Sequence, residues 1–378
     1  MAKRRLLYCA SDKEIFDALA SSTLHFSGST LLELAAKRGI FYSPKADRMQ
    51  LCSDISLLGF GFDEVAQIQG EFEKSAKSEK KTFKNLKTTL TLDEFKTIAS
   101  EYQSQAESEG DKVSFSNAGT KEFAVNVEYE EVDFSKTRLR QRQRRKALIE
   151  FEVQNGETVI SYPANDKVGL IVENFIERTT KEKKQTIDID EVDLSWISDF
   201  DLRTKFFQEL MRKVPGFTLQ DVTHVHVDHG DPATEDLDLL EDAENEKKAV
   251  EEEITGVVKD IALHGKAIHL SEEYKRLKEK GFFLTSIQWA GRRIASPHEI
   301  VQFDAGFNDA AAGVGFKYGV RTWRVPLETG QYAKNWTTIP AAEKALFSGL
   351  LQQASMAVYQ EIKKEFDEQN SSSKGEPL

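Results

Sequence analysis

Hydrophobic residues follow helical spacing over the first third of the chain. After Thr91, which has capping-box spacing with Glu94, apolar side chains recur at i, i+3, i+4 and i+7. These side chains are Phe95, Ile98, Ala99 and Tyr102. The same capping-box spacing recurs in two further pairs: Ser11 with Glu14, and Thr30 with Glu33. The pattern predicts a helical N-terminal region over residues 1–110, ending in a polar stretch at residues 104–121.

The hydrophobic period changes to that of strands after residue 120. Apolar residues then alternate with polar ones at Phe123, Val125, Val127 and Tyr129. Two strand-like runs, residues 147–154 and 157–162, flank Asn155-Gly156, a dipeptide that suits the positive φ angles of a type I′ turn. Further strands rich in aromatic residues are predicted at residues 282–289, 300–303 and 314–325.

Three helices complete the predicted elements: residues 167–177, residues 196–213 and a long C-terminal helix from about Pro340 to Phe366. The fold class predicted is therefore α+β: a helical N-terminal region, then a mixed α/β body with antiparallel strands and the long C-terminal helix. We expect three parts and a tail. These are a helical region at 1–110, a subdomain with a basic strand or hairpin at 113–190, a subdomain at 191–370 with an acidic insertion at 235–253, and a disordered tail at 371–378.

The amino-acid composition and net charge exclude several classes of protein. The chain has 378 residues, 39% of them hydrophobic, so its whole length is not expected to be disordered. Its formal net charge of −12 argues against a simple basic coat protein for nucleic acid. The two cysteines, Cys9 and Cys52, form neither a disulfide framework nor a zinc-ligand pattern. No run approaches the roughly 18 apolar residues of a membrane span. We therefore expect a cytoplasmic protein without a cofactor.

The strongest chemical signal is a basic segment, Lys136–Lys146, that contains no acidic residue. Its cations are Lys136, Arg138, Arg140, Arg142, Arg144, Arg145 and Lys146. In an extended chain, the arginines at positions 138, 140, 142 and 144 would share one side. Guanidinium groups bind phosphate oxygens bidentately, which indicates a contact with nucleic acid. The alternatives are a solvated loop and a surface docked on the chain's own acidic segment, 235–253, which holds ten carboxylates.

A second candidate lies at residues 29–58. A helix through Leu31, Leu34 and Ala35 is followed by an extended Ile40-Phe41-Tyr42, and Ser43-Pro44 is expected to start a second helix. This arrangement resembles the SAP or Rho N-terminal-like module, a helix–extended–helix unit. The resemblance implies binding of DNA or RNA through Ser43, Lys45 and Arg48. The alternative is an ordinary helical hairpin, since the capping residues involved are general ones.

A third candidate is the histidine-rich string from Thr223 to Gly230. The string resembles the first metal motif of the metallo-β-lactamase fold, which implies zinc bound by His224, His226, Asp228 and His229. Alternation with Val225 and Val227 instead favours a strand whose polar face carries the histidines. We expect the second arrangement and no shared metal.

These observations favour a binding protein over an enzyme. The predicted function is that of a nucleic-acid-associated component of a larger bacterial assembly. A defence system is one kind of assembly that would suit such a component. DNA is favoured over RNA, and other protein subunits are expected as partners. Two alternatives remain: a protein-interaction scaffold that binds no nucleic acid, and a metal-dependent hydrolase built on His224–His229.

Overall fold

The structure is a computed structural model that describes residues 9–74, 79–117, 119–197, 200–229 and 282–373. The acidic insertion expected at 235–253 lies outside these ranges, as does the part of the expected tail from 374 onward. Residues 371–373 belong to the last helix, so the expected start of the tail at 371 is corrected.

The described elements are helices and antiparallel strands that occur largely in separate runs along the chain, so the predicted α+β class is confirmed. The helices are α1 (Asp12–Ala20), α2 (Gly28–Ala36), α3 (Arg48–Ser56), α4 (Phe62–Lys74), α5 (Leu92–Glu109), α6 (Asp166–Lys183), α7 (Phe200–Lys213) and α8 (Ala341–Ser373). The strands are β1 (Lys81–Leu86), β2 (Lys112–Asn117), β3 (Glu122–Val132), β4 (Arg142–Gln154), β5 (Glu157–Pro163), β6 (Ile189–Asp190), β7 (Phe217–His229), β8 (Phe282–Arg293), β9 (Ile300–Asp309), β10 (Val314–Arg324) and β11 (Thr337–Thr338).

The chain divides into two compact units. The first contains residues 1–79 and 88–187, and the second contains residues 80–87 and 188–378. The boundary expected near residue 110 falls inside the first unit. There α5 continues to Glu109, Gly110 ends it in a left-handed conformation, and β2 begins at Lys112. The polar stretch at 104–121 is therefore an exposed helix face and an edge strand rather than a boundary.

In the first unit, strands β2, β3, β4 and β5 form a consecutive antiparallel sheet. Asn155 and Gly156 have positive φ angles of 51° and 86°, as the predicted tight turn between β4 and β5 requires. Helices α5 and α6 cover one face of this sheet. The ring of Phe95 stacks 4.7 Å from that of Phe123, and the ring of Phe175 lies 5.5 Å from that of Phe151.

Helices α1–α4 form a separate hydrophobic cluster in the same unit. The capping boxes predicted at Ser11 and Thr91 are confirmed. The one expected at Thr30 is wrong, because Ser27 is the N-cap of α2 and its hydroxyl accepts the Thr30 amide at 3.3 Å. One member of the cluster comes from far along the chain: Leu139, in the β3–β4 loop, is buried among the helices.

In the second unit, β10, β9, β8 and β7 follow one another in an antiparallel sheet. Strand β1 pairs with β10 at the far side, and short β6 and β11 pair with β1 and β10. Strand β1 lies within the region at 1–110 for which the sequence predicts only helices, so that expectation is corrected here. Helices α7 and α8 cover one face, with Phe206 and Phe347 packed on aromatic strand residues. On α8, Phe347 and Leu351 are buried, whereas Leu346 is half-exposed.

We expect Leu139→Ala to lower the free energy of unfolding by about 2–5 kcal/mol, because it empties a fully buried site between the loop and the helical cluster. Leu170→Ala is the matched control: Leu170 lies on α6 and is 64% exposed, so its truncation should have little effect. Chemical denaturation of the two variants measures the difference. Equal, small losses in both would show that Leu139 does not anchor the loop.

Candidate polyanion-binding surface

The structure divides the basic segment Lys136–Lys146 into two parts. Residues 134–140 form turns, and β4 begins only at Arg142. The expectation of one extended row from Arg138 to Arg144 is therefore corrected. The physical reason is the burial of Leu139, which requires the chain to turn toward the helical cluster instead of running straight into the strand.

The first part of the basic segment makes contacts within the chain. The Arg138 guanidinium donates to Glu14 Oε1 at 2.6 Å. Arg140 donates to the Ser21 hydroxyl at 3.1 Å, and its guanidinium carbon lies 4.9 Å from the centroid of the Phe72 ring. These two arginines flank Leu139 and fasten the loop to α1 and α4. These contacts hold the loop in place within the fold.

Lys136 also has a partner nearby in sequence. Its ammonium group lies 2.9 Å from Asp133 Oδ2. The hydrogen bond from Lys136, together with those from the side chain and backbone of Ser135, lowers the pKa of Asp133 to about 2. The carboxylate is therefore charged throughout the neutral range, and it holds the lysine at the start of the loop.

The second part of the segment lies on β4 and points outward. Arg142, Arg144 and Lys146 alternate with less exposed residues, and all three are exposed. They occupy the sheet face opposite to α5 and α6. Arg145 points to the other face, where it donates to Glu131 at 2.8 Å. The outward row is thus shorter than predicted, with three cations two residues apart.

Two glutamates of β3 accompany this outward row. Arg142 lies 3.3 Å from Glu130, and Lys146 lies 2.6 Å from Glu128. The hydrogen bond from Lys146, reinforced by its charge, lowers the pKa of Glu128. Strand register places Glu130 opposite Arg144. The face therefore carries interleaved charges, and its cations remain accessible: the Lys146 side chain is 80% exposed.

The SAP-like segment folds differently from the expectation. Helix α3 begins at Arg48 with Asp47 as its N-cap, not at Ser43-Pro44. The Arg48 guanidinium donates to the carbonyl oxygens of Leu19 at 2.7 Å and Phe26 at 3.1 Å, so it binds main-chain groups in the last turn of α1 and just before α2. Ser43 and Lys45 lie exposed in the preceding turn. The structure therefore does not bring Arg48 together with Ser43 and Lys45 as an open phosphate-contacting set.

The histidine string lies on β7, the strand that its alternation with valines predicts. His224 and His226 are exposed, and their ring centroids are 4.4 Å apart. Val222 and Val225 are buried. The side chains of Asp228 and His229 lie outside the described residues. Across the part of the chain that the structure describes, no group of three histidine, cysteine, aspartate or glutamate side chains is placed to hold a metal ion.

A second charged cluster was missed by the sequence analysis. Asp304, on β9, is only 2% exposed and lies close to Lys80, Lys317 and Arg321. Local sequence offers one signal, an aspartate within the otherwise apolar strand Ile300–Phe307. The cations come from β10 and from the residue before β1, so only strand pairing brings them together.

Comparisons with known proteins identify no relative: no protein-family model matches the sequence, and no curated protein matches it. Among the residues that the structure describes, we find no helix with both the length and the apolar character needed to cross a membrane.

We expect the Arg138–Glu14 pair to contribute little to stability, because the arginine side chain is 54% exposed and solvent screens its charge. A double-mutant cycle with Glu14→Gln and Arg138→Gln measures this coupling. Glutamine can keep the capping contact to the Ser11 amide, so the cycle isolates the charge.

The same pair should depend on pH in one direction. The Ser11 backbone amide, followed by Arg138, lowers the pKa of Glu14 in the folded state. Between the folded and unfolded pKa values the unfolded chain binds more protons, so stability rises with pH in that range. The stability advantage of wild type over Glu14→Gln should shrink as pH falls below about 4.5. An advantage unchanged down to pH 3 would contradict the proposed contact.

Proposed function

We propose that this protein is a non-enzymatic binding component that contacts the phosphate backbone of nucleic acid through the outward row of β4. This row consists of Arg142, Arg144 and Lys146. The observation that supports the proposal most directly is the placement of three exposed cations at alternate positions of one strand, on the sheet face opposite to α5 and α6.

Spacing favours a backbone contact. Side chains two apart on a strand are separated by about 6.7 Å, so the three cations span about 13 Å. A row of this length can lie along one phosphodiester strand, with each of the three cations at one phosphate. Such contacts position a protein on nucleic acid without reading its sequence.

The glutamates of β3 reduce the affinity of this surface for phosphate groups, but they do not block access to its cations. Exposed ion pairs such as Arg142–Glu130 stabilise a protein by only about 0–1 kcal/mol, so exchange of one partner for a phosphate costs little. Glu128 and Glu130 would nevertheless repel the incoming phosphates. We therefore expect binding in the range of non-specific complexes, with Kd values of about 10⁻⁴–10⁻⁶ M at physiological salt.

A second candidate function is that of a protein-interaction scaffold without nucleic acid. The interleaving of Glu128 and Glu130 with Arg144 and Lys146 favours it. A surface of alternating sign matches a protein surface of the opposite pattern, and such complementarity selects partners. The same variants distinguish the two functions.

We expect the triple variant R142Q/R144Q/K146Q to lose the salt dependence of duplex binding. Three phosphate contacts predict a log–log slope of about −2.7, which is about a 40-fold loss of affinity between 50 and 200 mM salt. The variant should flatten this slope by two to three units, and its thermal midpoint should stay close to that of wild type because the residues are exposed. Fluorescence anisotropy with duplex and single-stranded DNA and with RNA measures each slope.

The matched control is K37Q/K181Q/K184Q, which removes the same charge from exposed lysines of the first unit outside the sheet. Its slope should match that of wild type. Equal slopes in the two triple variants would show that the salt dependence comes from the overall charge of the protein and not from the outward row. Absence of binding by wild type at low salt would contradict the nucleic-acid function and favour the scaffold.

A further inference from the structure

The second unit places a buried carboxylate on the sheet face opposite to α7 and α8. Asp304 lies opposite Gly319 on β10 and Gln288 on β8. The Arg321 guanidinium donates to Asp304 Oδ2, and the Lys80 ammonium group lies 3.4 Å from Oδ1. Aromatic residues of β9 and β10 point to the other face, toward the helices. Asp304 therefore belongs to a polar site that is separate from the helix-covered core.

Positive charge exceeds negative charge in this site. Lys317 is half-buried near Lys80 and Asp304, and among the described residues it has no carboxylate within 4.0 Å. Three cations thus surround one carboxylate. Burial is the main cause that lowers the pKa of Lys317, and the charge of Lys80 lowers it further against the opposing effect of Asp304. Within the described ranges these cations have no acidic partner besides Asp304, and a surplus of charge in a half-buried site is costly unless an anion offsets it.

Glycines give the site its shape. A Cβ atom at position 319 would lie 2.8 Å from Asp304 Oδ1, so only glycine lets this carboxylate rest against β10. On the next row, a Cβ atom at position 306 would lie 2.4 Å from the Cβ of Ser286. The rows beside Asp304 are therefore flat. Beside this flat part of the face, the ends of Lys80, Lys317 and Arg321 are the charged groups that accompany Asp304.

One atom of the carboxylate is also incompletely satisfied. Oδ1 of Asp304 is buried and, within the described residues, accepts no hydrogen bond, although the Lys80 charge is close. Few buried polar atoms in proteins lack such a partner, and those that do commonly mark an absent water or ion. The unsatisfied acceptor marks a place for a hydrogen-bond donor, and the surplus of cations indicates that the ligand of this site is an anion.

We propose that Lys80, Lys317 and Arg321 bind a phosphate group, and that Asp304 holds Lys80 and Arg321 in place for it. Phosphate fits better than a carboxylate because the net charge of the cluster, about +2, matches a phosphate dianion. The arginine fork complements two oxygens of such a group. The group would belong either to a free phosphate ester or to a nucleic-acid backbone. This site does not depend on the outward row of β4.

The first experiment titrates the full chain with inorganic phosphate and with pyrophosphate at low ionic strength, by isothermal titration calorimetry. Wild type should bind one equivalent saturably. Lys317→Gln and Arg321→Gln should each weaken binding about tenfold or more, since each removes a charge-assisted contact. Lys364→Gln is the control, because Lys364 is an exposed α8 lysine whose side chain is 79% accessible. Unchanged affinity in Lys317→Gln, or no saturable binding by wild type, would overturn the proposal.

A stability measurement separates binding from a structural role. If Lys317 is surplus charge held for an anion, Lys317→Gln should melt at the same temperature as wild type or higher in phosphate-free buffer, because it relieves repulsion with Lys80. Added phosphate should raise the melting temperature of wild type and not that of the variant. A variant that melts well below wild type without phosphate would show that Lys317 serves the fold, and would overturn the assignment.

Competition identifies the source of the phosphate group. A duplex oligonucleotide that displaces pyrophosphate, and whose binding Lys317→Gln weakens, places a nucleic-acid backbone in the site. Pyrophosphate binding unaffected by oligonucleotide assigns the site to a free phosphate ester. The variants of the outward row leave Lys317 intact, so failure of nucleic-acid binding at β4 and failure of this site are separately visible.

Discussion

Burial of one leucine determines how the chain's most basic segment is used. Leu139 enters the cluster of α1–α4, and a fully buried leucine contributes about 1.5–3 kcal/mol relative to an exposed one. The arginines on either side must then end near the same helices, where Arg138 contacts Glu14 and Arg140 contacts Ser21 and Phe72. Beyond this anchor, Arg142, Arg144 and Lys146 lie on an exposed strand face. A segment that looks uniform in charge therefore has a structural part and a part available for binding.

The two units handle charge on their sheets in different ways. On β3 and β4 the charged side chains of the outward row are exposed and lie near charges of opposite sign. Solvent and these neighbours together keep the electrostatic free energy of each charge low. Around Asp304 the carboxylate is buried and cations outnumber it, which is the costlier arrangement. We infer that the exposed row is a weak, extended contact surface, whereas the buried cluster is suited to a single small group. Both proposals concern anions, although the protein as a whole carries a net charge of −12.

Local signals in the sequence predicted the elements whose causes are local. The Asn155-Gly156 turn and the capping boxes at Ser11 and Thr91 depend on residues within a few positions of one another. Strand β1 was missed because its pairing with β10 joins residues far apart in the chain. The course of the basic segment required recognising Leu139 as a lone apolar residue among cations, whose burial site lies over 60 residues earlier. The Asp304 cluster likewise exists only once β9 and β10 are paired.

Chemical modification of arginines tests the division of the basic segment most directly. Phenylglyoxal treatment of the native protein, read by mass spectrometry, should modify Arg142 and Arg144 quickly and Arg140 slowly, because Arg140 stacks on Phe72 and its Nε atom is buried. Duplex oligonucleotide should then slow Arg142 and Arg144 while leaving the rate at Arg140 unchanged. Equal rates at all three arginines in the free protein, or equal protection of all three by oligonucleotide, would contradict the division.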